Sequence, residues 1–438
     1  MSGGAAEEVR LVAFGSCRKQ SLAAPVWDAV VGLKPDAWIW TGDAVYPRGN
    51  ASPEELRAAY RAVAADDERV RRAVRVYDGV YDDHDFGLND AGSAFFGREA
   101  SRQAFLDEIV RCPANSVRRT QSNGLYTALT LGRAPREVKV VMLDTRFSRD
   151  DHAIPSVGGS SWIPKPGYVA AAIRLASAAL GIGSAHEGDV LGAEQWEWLR
   201  SELTNSSAAV HIIVSSIQVL TTSPVVESWG HFPASRRRLL ELLRDTKPAA
   251  ALLVSGDVHY AEMLGAAAAP AGILEFTSSG LNRSCGSKGG VSRFMCEAIL
   301  RIWHAHREPH DGVSGEVGAA TPLGGASVEI NFGTISFEWS SSSTAREADT
   351  IGSAIIQAHG VDGTPLLRHR LPLGLGGQLE ARRWEAALDM PTIFDEAHWL
   401  RLPLIALMVI AVQTLFILVC YVRCRARPSK QHKHRKAA

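Results

Sequence analysis

Short apolar runs that alternate with amphipathic segments are the feature of this sequence that most restricts its fold. Six such runs are VRLVAF (9–14), AWIWTG (37–42), VKVVMLD (138–144), VHIIVSS (210–216), AALLVSG (250–256) and ILEFTSS (273–279). Between several of them lie segments with apolar residues at helical spacing, such as residues 53–66, 192–203 and 235–245. This alternation predicts an α/β protein whose helices pack outside its sheets.

The strand-like segments near the end of the chain have no helical segments between them. ASVEINFGTISFEW (326–339) is followed by SAIIQAHGVDGTPLLRHRL (353–371), which has the pattern of a β-hairpin. These strands predict a second sheet with more antiparallel pairing than the first.

Four short polar segments each directly follow a strand-like run. They are GSC (15–17), TGDAVY (41–46), YDDHDFGLND (81–90) and SGDVHY (255–260). Together they offer Cys17, Asp43, Tyr46, Asp83, His84, Asn89, Asp257 and His259. In α/β sheets, ligands and catalytic groups gather at the carboxyl ends of the strands, so these side chains are candidates for one site.

Taken singly, these residues have ordinary explanations, because an Asp at a strand end often stabilises a turn and a lone His is often structural. As a set they favour metal binding. Asp257 and His259 would point to the same face of an extended segment and reach one ion. Converging carboxylates repel each other unless a cation lies between them. Mixed oxygen, nitrogen and sulfur donors suit transition metals, whereas carboxylates with an amide suit calcium or magnesium.

The order of these motifs resembles that of the calcineurin-like metallophosphoesterases. Two departures, Ser-Cys at the end of the first strand and Asp-His in place of Asn-His, are typical of the PhoD-like alkaline phosphatase D branch. The resemblance covers roughly residues 9–345 and includes FGSC, TGD-x-x-Y, DDHDFG-x-N, VVMLDTR, SGDVHY, TSSGLN and NFGTISFEW. It implies two packed mixed β-sheets flanked by helices, the four-layer αββα sandwich of metallophosphoesterases.

The resemblance also assigns roles to individual residues. The positions that match ligands of Fe³⁺ or of the bridging metal region are Cys17, Asp43, Tyr46, Asp257 and His259. Asn89 matches a calcium ligand, and Asp83 is the rival for that role. His84 matches a histidine on the substrate side. Arg18, directly after Cys17, would either bind phosphate oxygens or be a surface cation. The implied cofactors are Fe³⁺ and Ca²⁺, with other divalent metals as alternatives.

Metal-dependent hydrolysis of phosphate monoesters or diesters by a metal-activated hydroxide is the function that this set predicts. Two alternatives remain open at this point. Cys17 could be the nucleophile of a different hydrolase, with His84 or His259 as its base. The chain could also be an inactive, membrane-anchored scaffold that keeps the fold. The 47 basic and 47 acidic residues balance, so no nucleic-acid-binding surface is evident.

The C-terminal part of the chain predicts a membrane anchor. Residues 402–422 carry no charge over about the length that a helix needs to cross a bilayer, and a basic tail, 423–438, follows. Residues 9–372 would form the phosphoesterase domain and residues 373–401 a linker. The basic tail favours a single-pass protein with its domain in the lumen or outside the cell. Since residues 1–10 do not resemble a signal peptide, a tail-anchored protein with a cytosolic domain is the alternative.

Overall fold

A computed structural model describes most of the chain. The described residues are 8–265, 273–287, 289–303, 325–340, 351–374, 376–410 and 413–414. Their strands are β1 (Leu11–Gly15), β2 (Ala37–Thr41), β3 (Val76–Val80), β4 (Thr127–Leu131), β5 (Val138–Met142), β6 (Val210–Val214), β7 (Leu252–Ser255), β8 (Ala261–Gly265), β9 (Ile273–Ser278), β10 (Ala326–Ser327), β11 (Phe332–Trp339), β12 (Gly352–His359) and β13 (Pro365–Leu373). Their α-helices are α1 (Val26–Leu33), α2 (Pro53–Arg61), α3 (Ala64–Ala73), α4 (Asp83–Phe86), α5 (Arg98–Phe105), α6 (Val117–Thr120), α7 (Pro166–Ala179), α8 (Ala193–Thr204), α9 (Pro233–Thr246), α10 (Gly290–Ile302), α11 (Gly377–Leu388) and α12 (Ile393–Ala397).

The strands form two mixed sheets, as the α/β part of the fold expectation predicts. The first has the order β13-β12-β11-β1-β2-β3, and the second has the order β10-β8-β9-β7-β6-β5-β4. In the first sheet β1, β2 and β3 are parallel, and in the second β5, β6, β7 and β9 are parallel. The remaining strands are antiparallel to their neighbours.

The late strands do not form a separate sheet, which corrects the sequence-based expectation. Strands β11 to β13 extend the first sheet, because β11 pairs with β1 in antiparallel register. Local patterns indicate that a segment is a strand but do not specify its partner, since long-range pairing depends on packing of the whole chain.

The main core lies between the sheets, and side-chain alternation along the strands explains how it forms. Phe14 of β1 and Phe276 of β9 meet edge to face with ring centroids 5.2 Å apart. In β5, Val140 belongs to this core, whereas the next residue, Val141, packs in a second core with α8, α9 and α11. Because successive strand residues point to opposite faces, the continuous apolar runs cover both sides of a buried sheet.

Helices occupy much of the segment predicted as a linker, residues 373–401. Helix α11 packs against α9, and its Trp384 is fully buried. Glu380 of the same helix accepts a hydrogen bond from the backbone N–H of Ala250, at 2.9 Å. Helix α12 packs against α7. This segment therefore stabilises the folded body, while the domain boundaries themselves stay a prediction.

The transmembrane helix expected over residues 402–422 is not supported. In the part of the chain that the structure describes, no helix has both the length and the apolar character that crossing a bilayer requires. Of that segment, 411–412 and 415–422 lie outside the described residues, as does the tail at 423–438. The expectation relied on apolar composition, which does not establish one continuous helix. The single-pass and tail-anchored localisations that depended on it are corrected with it.

Candidate metal centre

The four polar segments meet where parallel strands of both sheets end. Cys17 follows β1, Asp43 follows β2, Asp83 follows β3 and Asp257 follows β7. The backbone N–H of Arg18 donates to the carbonyl oxygen of Asp43 at 2.9 Å and links the first two segments directly. The site therefore lies at the carboxyl edge of the parallel strands, as the sequence predicts.

The glycines of the two Gly-Asp motifs allow the strand ends to approach each other. Gly42 has a φ of +100°, and a Cβ there would lie 2.5 Å from the Cβ of Asp82. A Cβ on Gly256 would lie 2.4 Å from the carbonyl oxygen of Thr41. Neither position can hold a side chain without moving backbone, so the repeated Gly-Asp pair reflects close packing of the two sheets.

The backbone is strained at four of the candidate ligands. Cys17, Asp43, Asp257 and His259 have φ values of 65°, 52°, 69° and 65°. Such left-handed conformations are uncommon for residues other than glycine and concentrate at functional sites. The sequence analysis expected Asp257 and His259 on an extended segment. That expectation was wrong, because both residues lie on a bent segment.

A first group of donors surrounds Cys17. One ligand atom from each of Cys17, Asp43 and His259 lies within 4.8 Å of the others. The hydroxyl of Tyr46 is 2.5 Å from Asp43 Oδ2 and 2.8 Å from His259 Nε2. The Cys17 Sγ is 3.7 Å from Asp43 Oδ2. Sulfur, carboxylate, phenol and imidazole donors thus converge on one point.

A second group consists of carboxylates and shares Asp43 with the first. Ligand atoms of Asp43, Asp82, Asp83 and Asp257 lie within 4.8 Å of one another. Asp82 Oδ2 and Asp83 Oδ1 are buried and accept no hydrogen bond within the described structure. Unpartnered buried carboxylate oxygens are costly unless a cation binds them. The two donor groups therefore fit two neighbouring metal ions with Asp43 between them.

The charges of the site also favour cations. Burial raises the pKa of Asp43 and of Asp257 well above the ordinary value, and neighbouring carboxylates raise it further. Burial raises the pKa of Asp82 to about 6, although Arg146 opposes that rise. Burial and then Asp43 also raise the pKa of the Cys17 thiol. Full ionisation of these groups at neutral pH therefore requires added positive charge.

His84 lies at the border of the site, on the side open to solvent. Its ring is 4.1 Å from the ring of Tyr46, and its side chain is 26% exposed. Its Nε2 is 4.0 Å from Asp83 Oδ1. Asn89 is half-buried beside the backbone of Gly158, whereas Asp83 lies inside the carboxylate group. The prediction that either Asn89 or Asp83 binds calcium stays a prediction.

The structure directs the side chain of Arg18 away from the cluster. Its guanidinium is fully buried and pairs with Asp67, with Nη1 2.5 Å from Oδ1. Its Nε donates to the carbonyl oxygen of Ala44 at 2.9 Å, and its plane lies over Trp40. These contacts direct the charge into the first sheet, so Arg18 supports the loops that carry the ligands.

Several residues behind the carboxylates escaped the sequence reasoning. Arg146 Nε donates to Asp82 Oδ1 at 2.6 Å, and its Nη1 is 2.8 Å from Glu227 Oε2. Arg149 also pairs with Glu227. All four side chains are buried. The quoted motifs DDHD and LDTR contain Asp82 and Arg146, but nothing in their spacing shows that they pair.

A two-sheet α/β fold whose strand ends bring acidic, histidine and cysteine side chains together is an arrangement able to bind metal ions. The family model of the PhoD-like phosphatases matches residues 77–306 of this chain. The chain therefore belongs to the PhoD-like phosphatase family, and the resemblance seen in its motifs is confirmed.

A solved structure described as "Structure of PhoD" resembles this one with a TM-score of 0.52 at 16% sequence identity. The match covers 91% of this chain and 78% of that chain, and at this identity it supports the fold alone. No curated protein matches the sequence. Family membership makes the chain a hydrolase acting on phosphoester bonds and does not favour the inactive scaffold.

The structural role of Arg18 predicts how its variants behave. Asp67→Leu leaves a buried guanidinium unpaired and should lower the free energy of unfolding by roughly 3–5 kcal/mol. The double variant Arg18→Met/Asp67→Leu should recover most of that loss and keep the wild-type KM. Urea unfolding and steady-state kinetics measure the two effects. A stable double variant with a strongly raised KM would instead assign Arg18 to substrate binding.

Removal of metal should make stability depend on pH with a definite sign. The raised pKa values of Asp82 and Asp90, both about 6, mean that the folded state binds protons more tightly than the unfolded state. The metal-free protein should therefore lose stability, on the order of a few kcal/mol, as the pH rises from about 4, near the unfolded value, to about 6.5, just above the folded value. Denaturant titrations with chelator measure this. Excess metal should reverse the loss at the higher pH, and a metal-free protein that gains stability over this range would contradict the account.

Proposed function

We propose that the chain hydrolyses phosphate monoesters or diesters at a centre that holds a ferric ion and a calcium ion. The observation that carries this proposal is that Asp43 belongs to both donor groups, one with Cys17 and His259 and one with Asp82, Asp83 and Asp257. A carboxylate between two donor groups can hold two cations at the separation that a shared phosphate requires.

The donor chemistry supports the choice of ions. The thiolate sulfur of Cys17 and the phenolate oxygen of Tyr46 are anionic donors. Such donors stabilise a highly charged transition metal such as Fe³⁺. The carboxylates of Asp82, Asp83 and Asp257, with the amide of Asn89 nearby in sequence, are the oxygen donors that calcium prefers. Another hard divalent cation in the carboxylate group is the alternative.

The chain's own residues have separate tasks in this proposal. Bound cations would supply Lewis acidity toward phosphoryl oxygens and would lower the pKa of the attacking water. The left-handed backbone at the ligands holds their side chains in place before substrate arrives. His84 is partly exposed, and its ring lies tilted against that of Tyr46; it would donate a hydrogen bond to the leaving oxygen.

The structure provides little support for Cys17 as a nucleophile. Its Sγ is fully buried and lies 3.0 Å from the Ser279 hydroxyl. Burial and the adjacent Asp43 both disfavour the thiolate, as the raised pKa shows. A reactive cysteine needs an electropositive, accessible environment, whereas this one becomes anionic only beside a cation.

Iron bound to Cys17 and Tyr46 predicts a visible absorption band. The purified wild type should contain iron and show thiolate- or tyrosinate-to-iron charge transfer. Cys17→Ser and Tyr46→Phe should each shift or remove part of that band. Each should also lower activity by more than roughly 10–100-fold, which is the cost of losing a residue that only hydrogen-bonds to a metal ligand. Absorption spectra, metal analysis and kinetics give the three measurements.

Cys112→Ser is the matched control, because Cys112 is also buried and free of disulfide bonds. It should leave the spectrum and activity unchanged. Alkylation of Cys17 that proceeds in the presence of saturating metal would support the nucleophile instead. Full activity in Cys17→Ser would contradict both roles.

A further inference from the structure

Arg283 places a positive charge beside the metal centre. It lies in the segment between β9 and α10, and its guanidinium carbon is 4.3 Å from the centroid of the Tyr46 ring. The Tyr46 hydroxyl donates to Asp43, and the Tyr46 ring lies tilted against that of His84, with centroids 4.1 Å apart. The guanidinium is thus next to a candidate iron ligand.

Arg283 differs from the other arginines around the centre because it is not paired with an acid. Arg18, Arg146 and Arg149 are buried and form ion pairs with Asp67, Asp82 and Glu227. Arg283 is only half-buried, and among the described residues its guanidinium contacts the Tyr46 ring without a hydrogen bond or ion pair. Its N–H donors are therefore available to a ligand.

Hydrogen bonds on both sides of Arg283 hold its segment against the centre. The Asn282 side chain accepts a bond from the backbone N–H of Lys19 at 2.7 Å, just after the predicted iron ligand at the end of β1. The backbone N–H of Cys285 donates to the carbonyl oxygen of His259 at 2.8 Å. Arg283 thus lies between two segments that carry candidate metal ligands.

A disulfide adds a covalent restraint to the same segment. Cys285 is bonded to Cys296 of α10, a pairing that the sequence leaves open. The helix that carries Cys296 is anchored in turn by buried Leu300. Because the segment is fixed at three points, the backbone that carries Arg283 does not have to become ordered when a ligand binds.

We propose that Arg283 binds the non-bridging oxygens of the substrate phosphoryl group. This inference rests on the proposed function, because it makes Arg283 the anion-binding side chain of that same centre. A guanidinium presents a planar fork of N–H donors that matches phosphate oxygens. The guanidinium of Arg283 lies over the Tyr46 ring, and this cation–π contact uses none of its N–H donors.

The electrostatic neighbourhood agrees with this role. Burial and Asp43 raise the pKa of Tyr46, and Arg283 opposes that rise. Burial also lowers the pKa of His84, and Arg283 contributes to that lowering. The charge of Arg283 therefore acts on both Tyr46 and His84 and would also attract an anionic substrate to the centre.

A purely structural role for Arg283 makes different predictions. If the guanidinium only held Tyr46 in place, its removal would change the iron environment and the absorption band. If it binds substrate, the band and metal content stay the same while substrate and phosphate affinity fall. The two roles are thus separated by readouts other than activity.

The test compares Arg283→Ala and Arg283→Lys with wild type, using the full chain loaded with metal. Arg237→Ala is the matched control, because Arg237 is an exposed arginine on α9. Calorimetry measures the binding of inorganic phosphate, kinetics with an aryl phosphate ester separates KM from kcat, and absorption reports the iron site. We expect Arg283→Ala to weaken phosphate binding and kcat/KM by roughly 10- to 100-fold with an unchanged band. Arg283→Lys should recover only part of the loss, because lysine keeps the charge but not the fork.

Other outcomes overturn the proposal. Wild-type phosphate affinity in Arg283→Ala, or loss of the absorption band in that variant, would each contradict it, as would a wild type that binds no phosphate. A wild type that binds phosphate through Arg283 but takes up no metal and cleaves no ester would refute the proposed function and leave the anion site standing.

Discussion

Mutual repulsion among buried carboxylates is the constraint on which the rest of the site depends. Asp43 contributes to both donor groups, and its neighbours Asp82, Asp83 and Asp257 bring further negative charge into a region shielded from water. Such a cluster is stable in its ionised form only with compensating cations. The glycines that let the sheets approach, the strained backbone at the ligands and the arginines behind them all serve this arrangement.

The arginines around the centre differ in how deeply they are buried. Arg146 neutralises Asp82 from inside, and Arg18 is enclosed by Asp67 and the aromatic core. Both guanidinium groups form buried ion pairs and set the positions of loops. Within the described part of the chain the Arg283 guanidinium has no acidic partner, and the role proposed for it therefore differs from that of the buried arginines. In this account, the buried arginines stabilise the structure, and the half-buried Arg283 contributes to ligand affinity.

Much of the centre was predictable because parallel strands end at a common edge. That rule brings Cys17 and Asp43 together at the edge of the first sheet, and the motifs identified the family; the meeting with Asp257 depends on how the second sheet packs against the first. Arg18 was misplaced because adjacency in sequence to a ligand does not fix where a long side chain points. Arg283 was missed because its role depends on contacts between distant segments. The sheet to which β11 to β13 belong could not be predicted either, because β11 pairs with β1 from the other end of the chain.

Metal stoichiometry in single variants tests the shared carboxylate most directly. His259→Ala removes a donor from the first group only, and Asp83→Ala removes one from the carboxylate group without touching the first. Metal analysis after dialysis should therefore show selective loss of iron in the first variant and of calcium in the second. Asp43→Ala should lose both ions together. Retention of either ion at wild-type affinity in Asp43→Ala would contradict the account.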